Sequence, residues 1–179
     1  MTEISFLSVQ IFITAIWIIA RAAVCIKKQK FDFRRELQLL LVYICIMVIA
    51  RMTFFPFAKI EGKVQPLLLD SHRIFPPRIN LVPFVNLFSY ENLRDALLNL
   101  IGNTAMFIPV GIIWPAVFKK LDSHKKVIAS GFCFSLIIEL LQLLFFDRVS
   151  DIDDLFLNTF GFAIGYGIFL LCKKISASK

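Results

Sequence analysis

Within the stretch FFDRVSDIDDLFLN (residues 145–158), four aspartates, Asp147, Asp151, Asp153 and Asp154, fall inside eight positions with strongly apolar sequence on either side. Carboxylates grouped in this way can do two kinds of chemistry. A pair can divide acid and base roles, and Glu139 with Asp151 or Asp154 is the candidate catalytic set. An oxygen-rich cluster can also hold a hard divalent cation, Mg²⁺ or Ca²⁺, with Asp151, Asp153 and Asp154 as candidate ligands. The run DIDD lacks the glycine turn and terminal glutamate of an EF-hand loop, so a metal site and a salt-bridged cluster both stay open. No nucleophile stands out, since Ser135 has only Glu139 on its helical face.

These residues sit in a chain that is 58% hydrophobic, with 20 Phe among 179 residues and a mean hydropathy of +0.76. A soluble domain of that size cannot bury so much apolar surface, which predicts an integral membrane protein. A spanning helix needs about 20 mostly apolar residues. Five stretches supply them, at about 5–26, 37–55, 95–118, 127–146 and 152–172. Runs this long and this rich in Leu, Ile and Phe exclude a β-barrel. The expected fold is therefore an all-α integral membrane protein, a five-transmembrane-helix bundle that forms a single membrane domain over residues 1–179. The flank MTEIS carries no Lys or Arg, so the first span reads as a retained helix and not as a cleaved signal. Cys25, Cys45, Cys133 and Cys172 lie in or at the ends of separate spans and read as packed free thiols.

Charge sets the orientation, because Lys and Arg collect on the cytoplasmic side of a membrane. KKQKFDFRRE (27–36) has five basic residues against two acids, KKLDSHKK (119–126) has four against one, and KKISASK (173–179) has three against none. The loop DRVSDIDD (147–154) is instead acidic. The alternation predicts an N-terminus outside and a C-terminus in the cytoplasm of a multi-pass protein. It also accounts for the net charge of +7 through topology and anionic lipid, with no nucleic-acid partner. His72 and His124 then fall on opposite sides and cannot act together. The connection at about 56–94 contains Pro56, Pro66, Pro76, Pro77 and Pro83. It is too apolar for a free linker and too broken by proline for a span, so an extracytoplasmic interfacial or re-entrant segment is expected between helices 2 and 3.

With that topology, Arg21 lies near the cytoplasmic end of span 1 and can snorkel. The other strongly polar residues within spans, Arg51, Asn99, Asn103, Glu139, Gln142 and Asn158, all fall in the outer half. Ser135, Glu139 and Gln142 form one helical stripe, with Gly131 a turn earlier. Asp151, Asp154, Asn158, Gly161 and Gly165 form another, and the spacing of the two glycines lets a second helix approach closely. Asp147 and Asp153 fall off that stripe and are expected in solvent. A charge at mid-membrane costs roughly 2.5–3.5 kcal/mol, so Glu139 needs Arg51 or Arg148 as a countercharge, or a proton. The pattern predicts an outward-facing polar pocket between spans 3, 4 and 5. Its expected ligand-binding residues are Asn80, Asn99, Asn103, Glu139, Gln142, Asp151, Asp154 and Asn158, with Arg51, Arg78 and Arg148 as holders of phosphate or carboxylate groups.

The motifs NLVPF (80–84, beginning at Asn80) and GNTAMFIPVG (102–111) precede a longer one. The latter runs from Ser135 through Glu139, Gln142, Arg148, Asp151, Asp153, Asp154 and Asn158 to Gly161 and Gly165, as S-x3-E-x2-Q-x5-R-x2-D-x-D-D-x3-N-x2-G-x3-G. Together these resemble the VanZ family, with a VanZ-like core over about 78–170. The resemblance implies a bacterial plasma-membrane protein, common in Gram-positive organisms. The founding member of that family gives low-level resistance to teicoplanin, a lipoglycopeptide that acts outside the cytoplasmic membrane. It implies no settled reaction.

Three functions compete on these observations. A binding protein would hold membrane lipids, a lipid-linked envelope precursor or the lipoglycopeptide in the outer pocket, with an acyl slot lined by the Phe-rich outer segment. An integral-membrane enzyme would modify a lipid-linked envelope substrate by carboxylate or metal-assisted chemistry. A transporter would use Glu139 as a proton site, but five spans without an inverted repeat make it the weakest of the three.

Overall fold

The computed structural model describes residues 2–29, 31–55, 59–60, 62–69, 78–83 and 93–178. Among them are five helices: α1 (Phe6–Lys28), α2 (Phe33–Phe54), α3 (Leu93–Val117), α4 (His124–Gln142) and α5 (Ile152–Ala177). Each start with an identifiable cap uses a short polar side chain to take up an otherwise unsatisfied N–H. Ser5 accepts from Ser8 N at 3.1 Å, Asp32 from Arg35 N at 3.2 Å, Ser123 from Lys126 N at 3.4 Å and Asp151 from Asp153 N at 2.9 Å. At the other pole, Lys27 and Lys28 close α1 and Lys174 lies in the last turn of α5, where the helix dipole favours cations.

α1, α2, α5 and residues 96–117 of α3 are long and apolar enough to cross a membrane. α4, expected as the fourth of five spans, is not among these four. Its 19 residues carry Lys125, Lys126 and Glu139, and at about 1.5 Å per residue it is close to the hydrocarbon thickness, with no surplus. Its identity lies in its buried face. Val127, Gly131, Ser135, Ile138, Glu139 and Gln142 are all buried at helical spacing, on the stripe that the sequence marks as polar.

The tightest packing joins α3 to α5. A Cβ placed on Gly161 would lie 2.0 Å from the carbonyl oxygen of Thr104, and one on Gly165 would lie 2.1 Å from that of Ile108. Gly111 answers from α3, where a Cβ would come 2.1 Å from the oxygen of Phe162. Lipid tails are as apolar as leucine, so helices in a membrane gain little by excluding lipid from one another. They gain by close backbone approach, and three glycines at the crossing supply it. Phe162 is fully buried between them and fills the notch at Gly131 of α4, whose Cβ would meet its ring at 2.4 Å. α1 stands apart, with no buried residue, and is tied to α2 by Thr14 and Tyr43, whose hydroxyls lie 2.6 Å apart. Arg21, which the sequence assigned to snorkelling, forks onto Glu36 of α2, with Nε donating to Oε2 at 2.7 Å.

Short strand pairs, which the helical patterning did not foretell, cluster at one end of the bundle. β1 (Thr2–Ile4) pairs antiparallel with β4 (Leu67–Leu69), and β2 (Lys59–Ile60) pairs antiparallel with β3 (Lys63–Val64). β5 (Ile79–Asn80) pairs parallel with β6 (Ser150–Asp151). Phe146 N also donates to Leu68 O at 2.8 Å. The interfacial or re-entrant segment expected at 56–94 lies largely outside the described residues, as do His72, Pro56, Pro76 and Pro77. Its described parts are these extended pieces, and they bind the acidic loop from two sides.

Candidate functional site

The start of α5 is held from three directions. Glu139 of α4 is 3% exposed, and its Oε2 accepts the backbone N–H of Asp151 at 2.9 Å. The β5–β6 register sets Asn80 opposite Asp151, and Asn80 Nδ2 donates to both carboxylate oxygens at 3.2 Å. Asp151 in turn caps the helix, and Asp153 and Asp154 follow in its first turn, where the exposed N–H groups favour negative charge. Two turns deeper, Asn158 Nδ2 donates to Ser135 Oγ at 3.0 Å, while its Oδ1 is buried without a hydrogen-bond partner. Asp153, expected in solvent, is only 8% exposed, because the helix start folds back against the bundle; Asp147 is exposed as expected.

The three arginines proposed as anion holders all reach backbone carbonyls. The last carbonyls of a helix have no partner inside it, so the C-terminal end of α2 draws cations. Arg148 donates to Phe54 O from Nε at 3.0 Å and from Nη2 at 2.7 Å. Arg51 donates from Nη1 to Phe55 O at 3.0 Å and lies over the Phe6 ring at 5.6 Å. Arg78 donates to Phe146 O, with its guanidinium 4.7 Å from the centre of the Phe146 ring. Burial draws Arg148 below its ordinary pKa and neighbouring Asp147 opposes that shift, which leaves a cation at every physiological pH. Replacing Arg148 with alanine removes a charge-assisted fork, and a loss of about 1.5–3 kcal/mol is expected in detergent unfolding. Arg148→Lys should not restore it, because one ammonium cannot reproduce two parallel bonds to a single oxygen.

A cavity of about 340 Å³ opens beside this network. It is lined by Asn99 and Asn103 of α3, Gln142 of α4, Asp154 of α5, and Asp147 and Arg148 of the loop between α4 and α5. Asn103 Nδ2 donates to Asp154 Oδ1 across it. Gln142 Nε2 donates to Thr53 O at 3.4 Å, and Gln142 Oε1 is buried with no hydrogen-bond partner. The cavity thus gathers five of the sequence candidates, Asn99, Asn103, Gln142, Arg148 and Asp154. Arg51, Arg78, Asn80, Glu139, Asp151 and Asn158 do not line it; their hydrogen bonds belong to the frame around it. No group of three or more His, Cys, Asp or Glu is placed to hold a metal ion among the described residues. Sequence reasoning missed the contribution of α2. Met52 and Thr53 also line the cavity, and Thr53 accepts the Gln142 hydrogen bond through its backbone carbonyl, which no side-chain pattern could signal.

A second, larger hollow of about 1140 Å³ adjoins the first on the outside of the bundle between α2 and α3. Its lining is apolar except for Arg94 at the start of α3. The candidate set omitted Arg94, yet its spacing to Leu98 and Gly102 was a usable signal: residues four apart share one line of a helix.

The family model described as VanZ/LLP1 matches residues 40–173. The chain is 30% identical over 112 residues to "Protein VanZ" of Enterococcus faecium, a match covering 63% of this chain and 65% of that protein. It is 28% identical over 102 residues to "Uncharacterized membrane protein YwnJ" of Bacillus subtilis (strain 168), covering 56% of this chain and 69% of the other. No solved structure matches it.

Proposed function

The chain belongs to the VanZ family, and from that premise we propose that it contributes low-level resistance to teicoplanin-type lipoglycopeptides by binding an envelope lipid or the drug in the polar cavity. It is a multi-pass membrane protein. In this reading it lies in the bacterial plasma membrane with five crossings, its N-terminus and strand pairs outside and its C-terminus in the cytoplasm. The observation that carries the proposal is the cavity itself, a space of about 340 Å³ with polar groups from α3, α4, α5 and their loop converging on it. Small-molecule sites typically occupy hollows of about 300–1,000 Å³ with a few convergent polar groups. The buried, unpartnered Oε1 of Gln142 supports it further. A buried polar atom without a partner costs about 1–3 kcal/mol, which a ligand donor would recover.

Expression in a susceptible Gram-positive host, read as the inhibitory concentration of teicoplanin, tests the role. Asp154→Asn and Asn103→Leu change the cavity lining while leaving Glu139 and Asp151 in place, so membrane abundance should stay within about twofold of wild type. Resistance should fall to the level of the empty vector. Unchanged resistance in both variants, at equal abundance, would sink the cavity as the site. Consumption of a lipid by the purified protein would move the reading from binding to catalysis. Cysteines placed at 147 and at 120 test the topology, since only the former should react with an impermeant reagent in intact cells.

A further inference from the structure

The two hollows share part of their walls. Met52, Leu98, Gly102 and Met106 line both the polar cavity and the apolar groove between α2 and α3. Gly102 stands at the junction, and its role differs from that of the crossing glycines. A Cβ on Gly111, Gly161 or Gly165 would lie about 2 Å from a backbone oxygen of the partner helix, whereas one on Gly102 meets nothing within 4 Å. A glycine inside a helix costs about 0.5–1 kcal/mol relative to alanine. At 102 no close packing offsets that cost; the missing side chain leaves a gap between head space and groove.

We propose that cavity and groove are one site for a single bilayer phospholipid with an amine-bearing headgroup, which enters sideways from the membrane between α2 and α3. This rests on the binding reading given above and names the ligand class. The acyl chain lies along Val48, Leu98 and Ile101 in the groove. Arg94, the charged residue in the groove lining, takes the phosphate; it stands eight residues before Gly102, about 12 Å along the helix. The amine reaches the polar cavity. There most donors are already committed, Asn103 Nδ2 to Asp154, Gln142 Nε2 to Thr53 O, and Nε and Nη2 of Arg148 to Phe54 O, while the amide of Asn99 adds one donor and one acceptor to the lining. Asp147, Asp154 and the unpartnered Oε1 of Gln142 are the remaining acceptors. A surface rich in acceptors recognises a donor, and two carboxylates favour a cation over a neutral polyol. A headgroup that is anionic overall is correspondingly disfavoured.

Native mass spectrometry of the full chain from nanodiscs tests this, using defined mixtures of dioleoyl phosphatidylethanolamine, dioleoyl phosphatidylglycerol and dioleoylglycerol. One phosphatidylethanolamine should stay bound at activation energies that strip the other two, with at least about tenfold preference. Gly102→Leu, whose Cβ meets nothing within 4 Å, extends into the junction and should lower that retention about tenfold at an unfolding midpoint close to wild type. Arg94→Gln, at an exposed position, should reduce the preference for phosphatidylethanolamine over dioleoylglycerol severalfold, leaving the part that the amine contributes. Equal retention of all three lipids, insensitive to Gly102→Leu, would identify annular lipid only and overturn the proposal. Retention of teicoplanin or an anionic lipid that is lost in Asp154→Asn but kept in Gly102→Leu would overturn the sideways site and leave the cavity reading standing. Absence of any retained amphiphile, with resistance unaffected by the cavity variants, would overturn both.

Discussion

Gly161→Ala should severely destabilise the folded bundle, although it changes one hydrogen to a methyl and improves helix propensity. Propensity alone favours alanine by about 0.5–1 kcal/mol. Against it, the added Cβ would sit 2.0 Å from the carbonyl oxygen of Thr104 and 2.8 Å from its carbon. These are backbone atoms that no rotamer change can move, so α3 and α5 must separate by more than 1 Å. Separation at that point also disturbs Gly165 against Ile108 and Gly111 against Phe162, since all three contacts lie on one crossing. It loosens Phe162 from Gly131, which carries the strain to α4. Overpacking a well-packed interior typically costs about 1–3 kcal/mol, and rigid backbone on both sides puts this case at or above the upper end. The measurement is the yield of monodisperse protein in mild detergent together with its thermal midpoint. Gly102→Ala is the matched control and should raise the midpoint slightly, because its Cβ meets nothing within 4 Å. Equal behaviour of the two alanine variants would mean that the α3–α5 crossing is not what holds the bundle.

That contrast shows how far the sequence was legible. The five helices follow from apolar runs and capping residues, and the stripe from Gly131 to Gln142 appears in the structure as the buried face of α4. The step of four between Gly161 and Gly165 foretold a close helix neighbour, and α3 is that neighbour. The identity of the neighbour was not readable, because the answering groups are the backbone oxygens of Thr104 and Ile108, which any residue types would supply. The site shows the same division. Side-chain pattern singled out Asn103, Gln142 and Asp154, which line the cavity. It gave no sign of the backbone partners of Arg51, Arg78 and Arg148, expected as holders of ligand anions, which meet the carbonyls of Phe55, Phe146 and Phe54. The parallel pairing of 79–80 with 150–151 was equally silent, since two-residue strands leave no periodicity to detect.

Glu139 separates scaffold from chemistry, and its substitutions should divide sharply. Its carboxylate receives the N–H of Asp151, the residue that caps α5 and that Asn80 grips from β5. Glu139→Ala therefore strands a half-buried N–H, at about 1–3 kcal/mol, and leaves a hole the size of the lost side chain. The start of α5 should fray, and Asp154 would no longer be held against Asn103. A large loss of thermal midpoint and of resistance is expected together. Glu139→Asp should behave in the same way, because a chain shorter by one methylene draws the acceptor back from the N–H it now meets at 2.9 Å. Glu139→Gln keeps an acceptor oxygen at the same distance and should fold within about 1 kcal/mol of wild type, because a neutral amide still satisfies the N–H. Under a capping role the glutamine variant also keeps resistance close to the wild-type level. Under an acid–base role it loses resistance while its midpoint stays put, since an amide can neither take nor give the proton that such chemistry needs. Placement beneath the helix start, away from the cavity lining, favours the first outcome. The resistance of Glu139→Gln at matched membrane abundance is thus the measurement that decides between the proposed binding role and a catalytic one.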